Sequence, residues 1–186
     1  FGGSMIGFSS VNLRFHDAFG YNEGFFRVST YLGYVCLVVA AANAALASGD
    51  FLRVKGRIGM MQGRYVVTMA FYVVVVFFYV LFNMVAINYR PVEMEASYPS
   101  SHTMLGLCVM FSEVVMLHYC RGKLHFWTIV LQSLCLVCMV ATVVFRLLCG
   151  VHWLTDIIGG IILSASLILL YSGALVLYGG FCPRHG

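Results

Sequence analysis

The stretch Tyr65–Ile87, YVVTMAFYVVVVFFYVLFNMVAI, contains no Asp, Glu, Lys or Arg. A helix of about 20 apolar residues crosses the hydrocarbon core of a bilayer, and this run is long enough to do so. The other way to satisfy backbone polar groups in lipid is a closed barrel, which needs apolar and polar residues to alternate. Val73 to Phe78 is unbroken apolar sequence, so the period fits a helix.

Reading outward, four more stretches repeat the pattern: Phe26–Ala47, His102–Tyr119, Phe126–Leu148 and Trp153–Tyr178. The whole chain agrees, with 61% hydrophobic residues, 10% charged residues and a mean hydropathy of +0.92. No soluble domain has that balance. The expected fold is all-α, a polytopic transmembrane bundle of about five spanning helices plus an N-terminal interfacial segment. Connections are short and no linker interrupts them, so residues 1–186 are expected to form a single integral membrane domain, with 1–25 as lead-in and 26–179 as bundle. Val11–Phe25 mixes Arg14, His16, Asp17 and Glu23 with Val11, Leu13, Phe15, Phe19 and Phe25. Two readings stand for it, an amphipathic interfacial helix or an ordinary polar lead-in that Gly20 and Gly24 weaken as a helix.

Short cytoplasmic loops carry the Lys and Arg excess. Arg53, Lys55, Arg57 and Arg64 mark one such loop, Arg121 and Lys123 a second, and Arg184 a cytoplasmic tail. Asn88–Ser101 and the turn around Gly150 then face the extracytoplasmic side, as does the N-terminus. The net charge of +4 is scattered over loops, without the basic stripe that nucleic acid requires. The partners expected are the bilayer and a substrate, with no nucleic acid. Seven cysteines, mostly within apolar runs, indicate no disulfide framework, and Cys135-x-x-Cys138 is read as packing rather than as a zinc or redox site.

The unusual polar residues gather at the two outward connections. One carries Arg90-Pro91 and then Pro99-Ser100-Ser101-His102; the other carries Arg146, His152 and Asp156. His152 and Asp156, four apart at a helix start, share a face, so the carboxylate can accept the imidazole N–H, fix the tautomer and leave the other nitrogen free to attack phosphorus. His102, at another helix start, is placed to protonate a leaving oxygen and then to activate water. Arg90 and Arg146 can fork onto phosphoryl oxygens, and amides around Ser100 and Ser101 at a helix N-terminus add donors. The arrangement needs no metal and no cofactor. Arginine and histidine at a membrane boundary also serve as anchors, a reading that weakens when two Arg, two His and an Asp fall at fixed spacings on one side.

Arg90-Pro91, Pro99-Ser100-Ser101-His102 and Arg146-x5-His152-x3-Asp156 together resemble the three-part signature of the type 2 phosphatidic acid phosphatase superfamily. The resemblance covers Asn83 to Asp156. It implies a metal-independent phosphatase with His152 as nucleophile, Asp156 orienting it, His102 as acid and base, and Arg90 and Arg146 holding phosphate. Two positions depart from the family pattern: Asn83 stands where its first motif opens with Lys, and Ser101 where its second motif usually has Gly. Many membrane members also have six spans rather than five. The substrate expected is a lipid phosphate or a polyprenyl diphosphate such as undecaprenyl diphosphate. Phosphatidylglycerophosphate, phosphatidic acid or a lipid A phosphate are alternatives, as are lipid phosphotransfer and a catalytically degenerate lipid-binding or transport protein.

Other polar residues take structural readings. Tyr89, Tyr98 and Trp153 are assigned to the interfacial aromatic belt. Glu113, in mid-span, should face inward against Asn43 or Gln132. Gly159, Gly160, Ser164 and Ser166 should allow close helix approach, and His118 and His125 fall at the opposite face from the site.

Overall fold

The computed structural model describes residues 8–91, 95–119 and 125–179, and the five apolar stretches are helices in it. A leading helix α1 (Ser9–Phe19) is followed by α2 (Glu23–Arg53), α3 (Gly63–Met84), α4 (Ser101–Tyr119), α5 (His125–Leu148) and α6 (Leu154–Ala174). A short 3-10 turn, Ile58–Met60, precedes α3, and a π-helical turn, Leu175–Gly179, extends α6. Helices α2 to α6 supply five segments long and apolar enough to cross a membrane. The protein is an all-α polytopic membrane bundle. Among the described residues the only β-type pairing is an isolated bridge between Tyr89 and Ala96.

Residues Val73, Phe77, Val137, Val140, Leu169 and Leu170 all point outward from the bundle. Such an apolar exterior suits a chain whose solvent is lipid. Helix α4 packs against α5, α6, α2 and α3. Missing side chains let it approach its neighbours. A Cβ on Gly106 would lie 2.7 Å from Thr142 of α5, and one on Gly160 would lie 3.0 Å from the Ser100 carbonyl oxygen. Ser164 is buried and returns its hydroxyl to the Gly160 carbonyl. Ser166, by contrast, faces outward and bonds to Ile162 of its own helix, so it plays no part in the close approach expected of it.

Polar groups in the middle of the bundle find partners on neighbouring helices. Glu113 accepts from Asn43 Nδ2 at 2.7 Å, Asn43 lies 3.2 Å from the Tyr72 hydroxyl, and Tyr72 bonds to Ser112, which joins α2, α3 and α4. Of the two partners expected for Glu113, Asn43 is the one found. Gln132 bonds to the Val114 carbonyl at 2.8 Å instead. Asp50, 7% exposed near the end of α2, accepts from the Gln62 amide at 2.8 Å. That bond holds the loop that enters α3. Cys36 and Cys135 pack with Val109 and Met110, and Cys135 and Cys138 are free thiols.

Val11–Phe25 is divided between two helices, helical to Phe19 and again from Glu23. Helix α1 forms and stops at Gly20, whose φ of +62° an L side chain rarely adopts. Its Asn12 is buried against the start of α6, donating to Thr155 Oγ1 at 2.9 Å and accepting from the Thr155 amide at 3.2 Å. Phe8, Val11 and Phe19 remain outward. Arg53, Lys55 and Arg57 are exposed beyond the end of α2 that lies away from α1. Arg121, Lys123 and Arg184, on which part of the orientation rests, lie outside the described residues. His118 is exposed near the C-terminal end of α4, opposite His102. A cavity of about 670 Å³ opens between α3 and α6 and is lined by Met61, Val67, Phe71, Leu167, Tyr171 and Ala174.

Candidate active site

Three helix ends and one hairpin-like loop converge on the end of the bundle covered by α1. The N-terminus of α4 brings His102, the C-terminal turn of α5 brings Arg146, and the short connection to α6 brings His152, with Asp156 in the first turn that follows. The loop between α3 and α4 folds back through the Tyr89–Ala96 bridge, with the Arg90 amide on the Glu95 carbonyl and the Ser97 amide on the Asn88 carbonyl. Two bonds tie this loop to the start of α6. Trp153 Nε1 donates to the Tyr89 carbonyl at 2.8 Å, and the Ser100 amide donates to the Asp156 carbonyl at 2.9 Å.

Arg146 sits at the centre, 1% exposed. Its Nη1 donates to Ser29 Oγ of α2 at 3.1 Å, and its Nη2 lies 3.2 Å from His102 Nδ1 and 3.3 Å from His152 Nε2. Guanidinium groups only donate, so both of those ring nitrogens are acceptors and the remaining proton of His152 is on Nδ1. Arg146 Nε is buried without an acceptor. A buried N–H left open beside two histidines is a ready position for an anionic oxygen.

Behind His152, Nδ1 lies 3.2 Å from Ser97 Oγ and 3.7 Å from Asp156 Oδ2. Only the first is hydrogen-bond distance. The Ser97 hydroxyl in turn donates to Asp156 Oδ2, which also accepts from the Trp153 amide at 3.0 Å. Burial pushes the His152 imidazole down to about 4; Asp156 opposes that change, and Arg146 and Arg90 reinforce it. The ring is therefore neutral at neutral pH, as a nitrogen nucleophile must be.

Arg90 is half-buried at the rim and pairs with exposed Glu95 at 2.8 Å. The two serines expected as anion donors differ. Ser100 is fully buried, its amide donates to the Asp156 carbonyl and its hydroxyl accepts from Thr103, so its amide is not open to an anion. Ser101 and His102 begin α4, where first-turn amides have no intrahelical acceptor. Asn83 is exposed at the end of α3 and donates to the Tyr79 carbonyl at 2.7 Å. It shares a small cavity with Tyr98, Pro99 and Ser101, beside the histidines rather than on them. Among the described residues no group of three or more His, Cys, Asp or Glu side chains is arranged to hold a metal ion.

A family model described as the PAP2 superfamily matches residues 3–176. The chain belongs to that superfamily. Among solved structures it resembles the first transmembrane PAP2 type phosphatidylglycerolphosphate phosphatase, from Bacillus subtilis, with a TM-score of 0.66 and 18% identity over 97% of this chain and 90% of that one. At that identity the likeness speaks to the fold. No curated protein matches the chain.

In this PAP2 chain the structure also places residues that the motifs did not mark. Ser97 stands between His152 and Asp156, Ser29 holds Arg146, and Asn12 holds the α6 start. Each is a small polar side chain outside any motif, and it becomes legible only when a second helix or loop is brought against it. Trp153 and Tyr98 also depart from the belt assignment. Trp153 is 1% exposed, with its indole N–H on a carbonyl, and Tyr98 packs on Gly159, where a Cβ would come within 3 Å of its ring. An indole buried with a hydrogen-bond partner belongs to the interior. Tyr89 is exposed, as a belt residue would be.

Proposed function

We propose that the protein is a metal-independent lipid phosphatase that works through a phosphohistidine at His152, on the extracytoplasmic face. The observation that carries this reading is Arg146 Nη2 lying 3.2–3.3 Å from one nitrogen of each histidine. A phosphoryl group entering there takes over the arginine's N–H groups and frees His152 Nε2 for attack. Once the phosphoryl group draws Arg146 away from His102 Nδ1, that nitrogen can take up a proton; the Nε2–P bond of His152 forms as the P–O bond to the lipid breaks, and the His102 imidazolium gives that proton to the leaving oxygen. Water then attacks phosphorus with His102 as base, and the Nε2–P bond breaks. Arg146, Arg90 and the amides at the start of α4 hold the equatorial oxygens.

Two features support a lipid substrate. All of these groups lie at helix ends of a membrane bundle, and an apolar groove of about 360 Å³ runs from Phe8 and Val11 of α1 along Leu154, Ile158 and Ile162 of α6. It borders the His152 connection and suits a hydrocarbon chain. Undecaprenyl diphosphate remains the first substrate to test, ahead of phosphatidylglycerophosphate, phosphatidic acid and lipid A phosphate. Orientation rests on Arg53, Lys55 and Arg57 at the other end of the bundle.

The test is phosphate release from lipid mono- and diphosphates in detergent, with and without a chelator, by wild type and His152→Ala. The proposal expects chelator-resistant release that the variant abolishes, together with loss of an acid-labile phospho-enzyme. Near-normal release by the variant sinks it.

A further inference from the structure

Asp156 is four residues after His152, the spacing at which a carboxylate would bond directly to the imidazole. The side chains do not meet at that distance. His152 Nδ1 and Asp156 Oδ2 are 3.7 Å apart, and the Ser97 hydroxyl fills the gap, 3.2 Å from Nδ1 and bonded to Oδ2. Because Arg146 can only donate to Nε2, Nδ1 carries the proton and must donate. Its acceptor within reach is Ser97 Oγ, whose own proton then goes to the carboxylate. Each group has one role that fits its chemistry, with no conflict along the row.

The surroundings fix this serine. Ser97 is 1% exposed and Asp156 is fully buried, so water does not substitute freely for the hydroxyl. The Ser97 amide is pinned to the Asn88 carbonyl at 2.8 Å beside the Tyr89–Ala96 bridge, and the same fold-back carries Arg90. Trp153 Nε1 on the Tyr89 carbonyl fastens that loop to the residue after His152. The loop that supplies a phosphate-binding arginine therefore also supplies the hydroxyl behind the nucleophile.

We infer that Ser97 is a positioning residue for His152, its hydroxyl relaying the Nδ1–H of the imidazole to Asp156. The inference rests on His152 acting as the nucleophile. As Nε2 bonds to phosphorus the ring gains positive charge, and the proton stays on Nδ1 throughout. The serine hydroxyl and the carboxylate behind it stabilise that charge and hold the ring plane. No proton need leave the imidazole.

The experiment compares Ser97→Ala, Ser97→Cys and Ser97→Thr in the purified full chain, by steady-state phosphate release and by the rate of phospho-enzyme formation. Ser97→Ala is expected to lower kcat about tenfold to a hundredfold with KM within about twofold. Ser97→Cys, whose thiol is a poor hydrogen-bonding substitute, is expected to fall with it, and Ser97→Thr to recover activity. Combining Ser97→Ala with Asp156→Asn is expected to cost little more than the worse single change, because both cut one row. Wild-type turnover in Ser97→Ala, equal impairment in Ser97→Thr, or additive losses in the double variant would overturn the relay. If His152→Ala is dead while Ser97→Ala is unimpaired, the relay alone fails; if His152→Ala is active, the nucleophile assignment fails with it.

Discussion

Arg146→Lys isolates what the guanidinium does beyond its charge. In the resting site the group holds Ser29 Oγ at 3.1 Å through Nη1 and both histidines at 3.2–3.3 Å through Nη2, and it keeps Nε open. Lysine retains one positive charge but concentrates it at a point, so it cannot keep Ser29 and present two parallel N–H groups to a phosphoryl oxygen pair. A hydrogen bond to a charged group contributes about 1.5–3 kcal/mol. Losing one of two such bonds in the transition state should lower kcat/KM by about tenfold to a hundredfold, at about 1.36 kcal/mol per factor of ten. In the proposed mechanism Arg146 gives up its contact with His152 Nε2 only as the phosphoryl group engages, so most of the loss should appear in kcat. Arg146→Met, which removes the charge as well, should lose at least another factor of ten. The assay is lipid phosphate turnover in detergent over a substrate range, with thermal unfolding in the same detergent. A lysine variant within threefold of wild type in kcat/KM, at unchanged melting temperature, would refute the role given to the fork.

His152 should titrate far below a solvent histidine. Its folded value is lowered from 6.5 to about 4, so the stability that comes from burying it neutral is complete above about pH 6.5 and is lost as pH falls towards 4; histidine-labelled NMR in detergent, assigned by His152→Asn, would contradict this with a midpoint near 6.5. Glu113→Gln should keep its Asn43 partner and near-normal turnover, whereas Glu113→Leu should strand Asn43 in mid-bundle and cost about 1–3 kcal/mol, read as a lower melting temperature. Gly150→Ala should be more damaging than either. Gly150 has a φ of +69°, and a Cβ there would fall 1.8 Å from the Gly20 carbonyl oxygen. The α1–α2 turn must move, so activity should drop and amides of α1 should exchange faster; unchanged exchange would show that the turn tolerates the methyl.

Why some of this was visible in the sequence and some was not follows from range. The apolar runs decide each span locally, because every backbone polar group in lipid must be satisfied within its own helix. Helix α2 runs past its apolar stretch, since the extension from Ala47 to Arg53 carries charge and is held by Asp50 reaching across to Gln62. The arginines and histidines of the site were legible because their types are expensive in a membrane and their spacings place them at helix ends. Ser97, Ser29 and Asn12 were not. A serine or asparagine in a loop or an apolar helix carries no periodic signal, and its importance depends on which distant group meets it.

The i, i+4 argument for His152 and Asp156 holds for the face, and the two side chains approach to 3.7 Å, within ion-pair reach but longer than a hydrogen bond. Spacing on an ideal helix puts the two side chains on one side, but His152 lies before the first residue of α6, in a connection shaped by Gly150 and by the Trp153 amide bond to Asp156. Asp156 Oδ2 is already spent on that amide, which caps the helix start. The residual gap of 3.7 Å is closed from outside, by a loop fastened through Trp153. On the proposed mechanism, alignment of His152 depends on the Tyr89–Ala96 fold-back as much as on α6 itself, so changes at that bridge should act on kcat through His152.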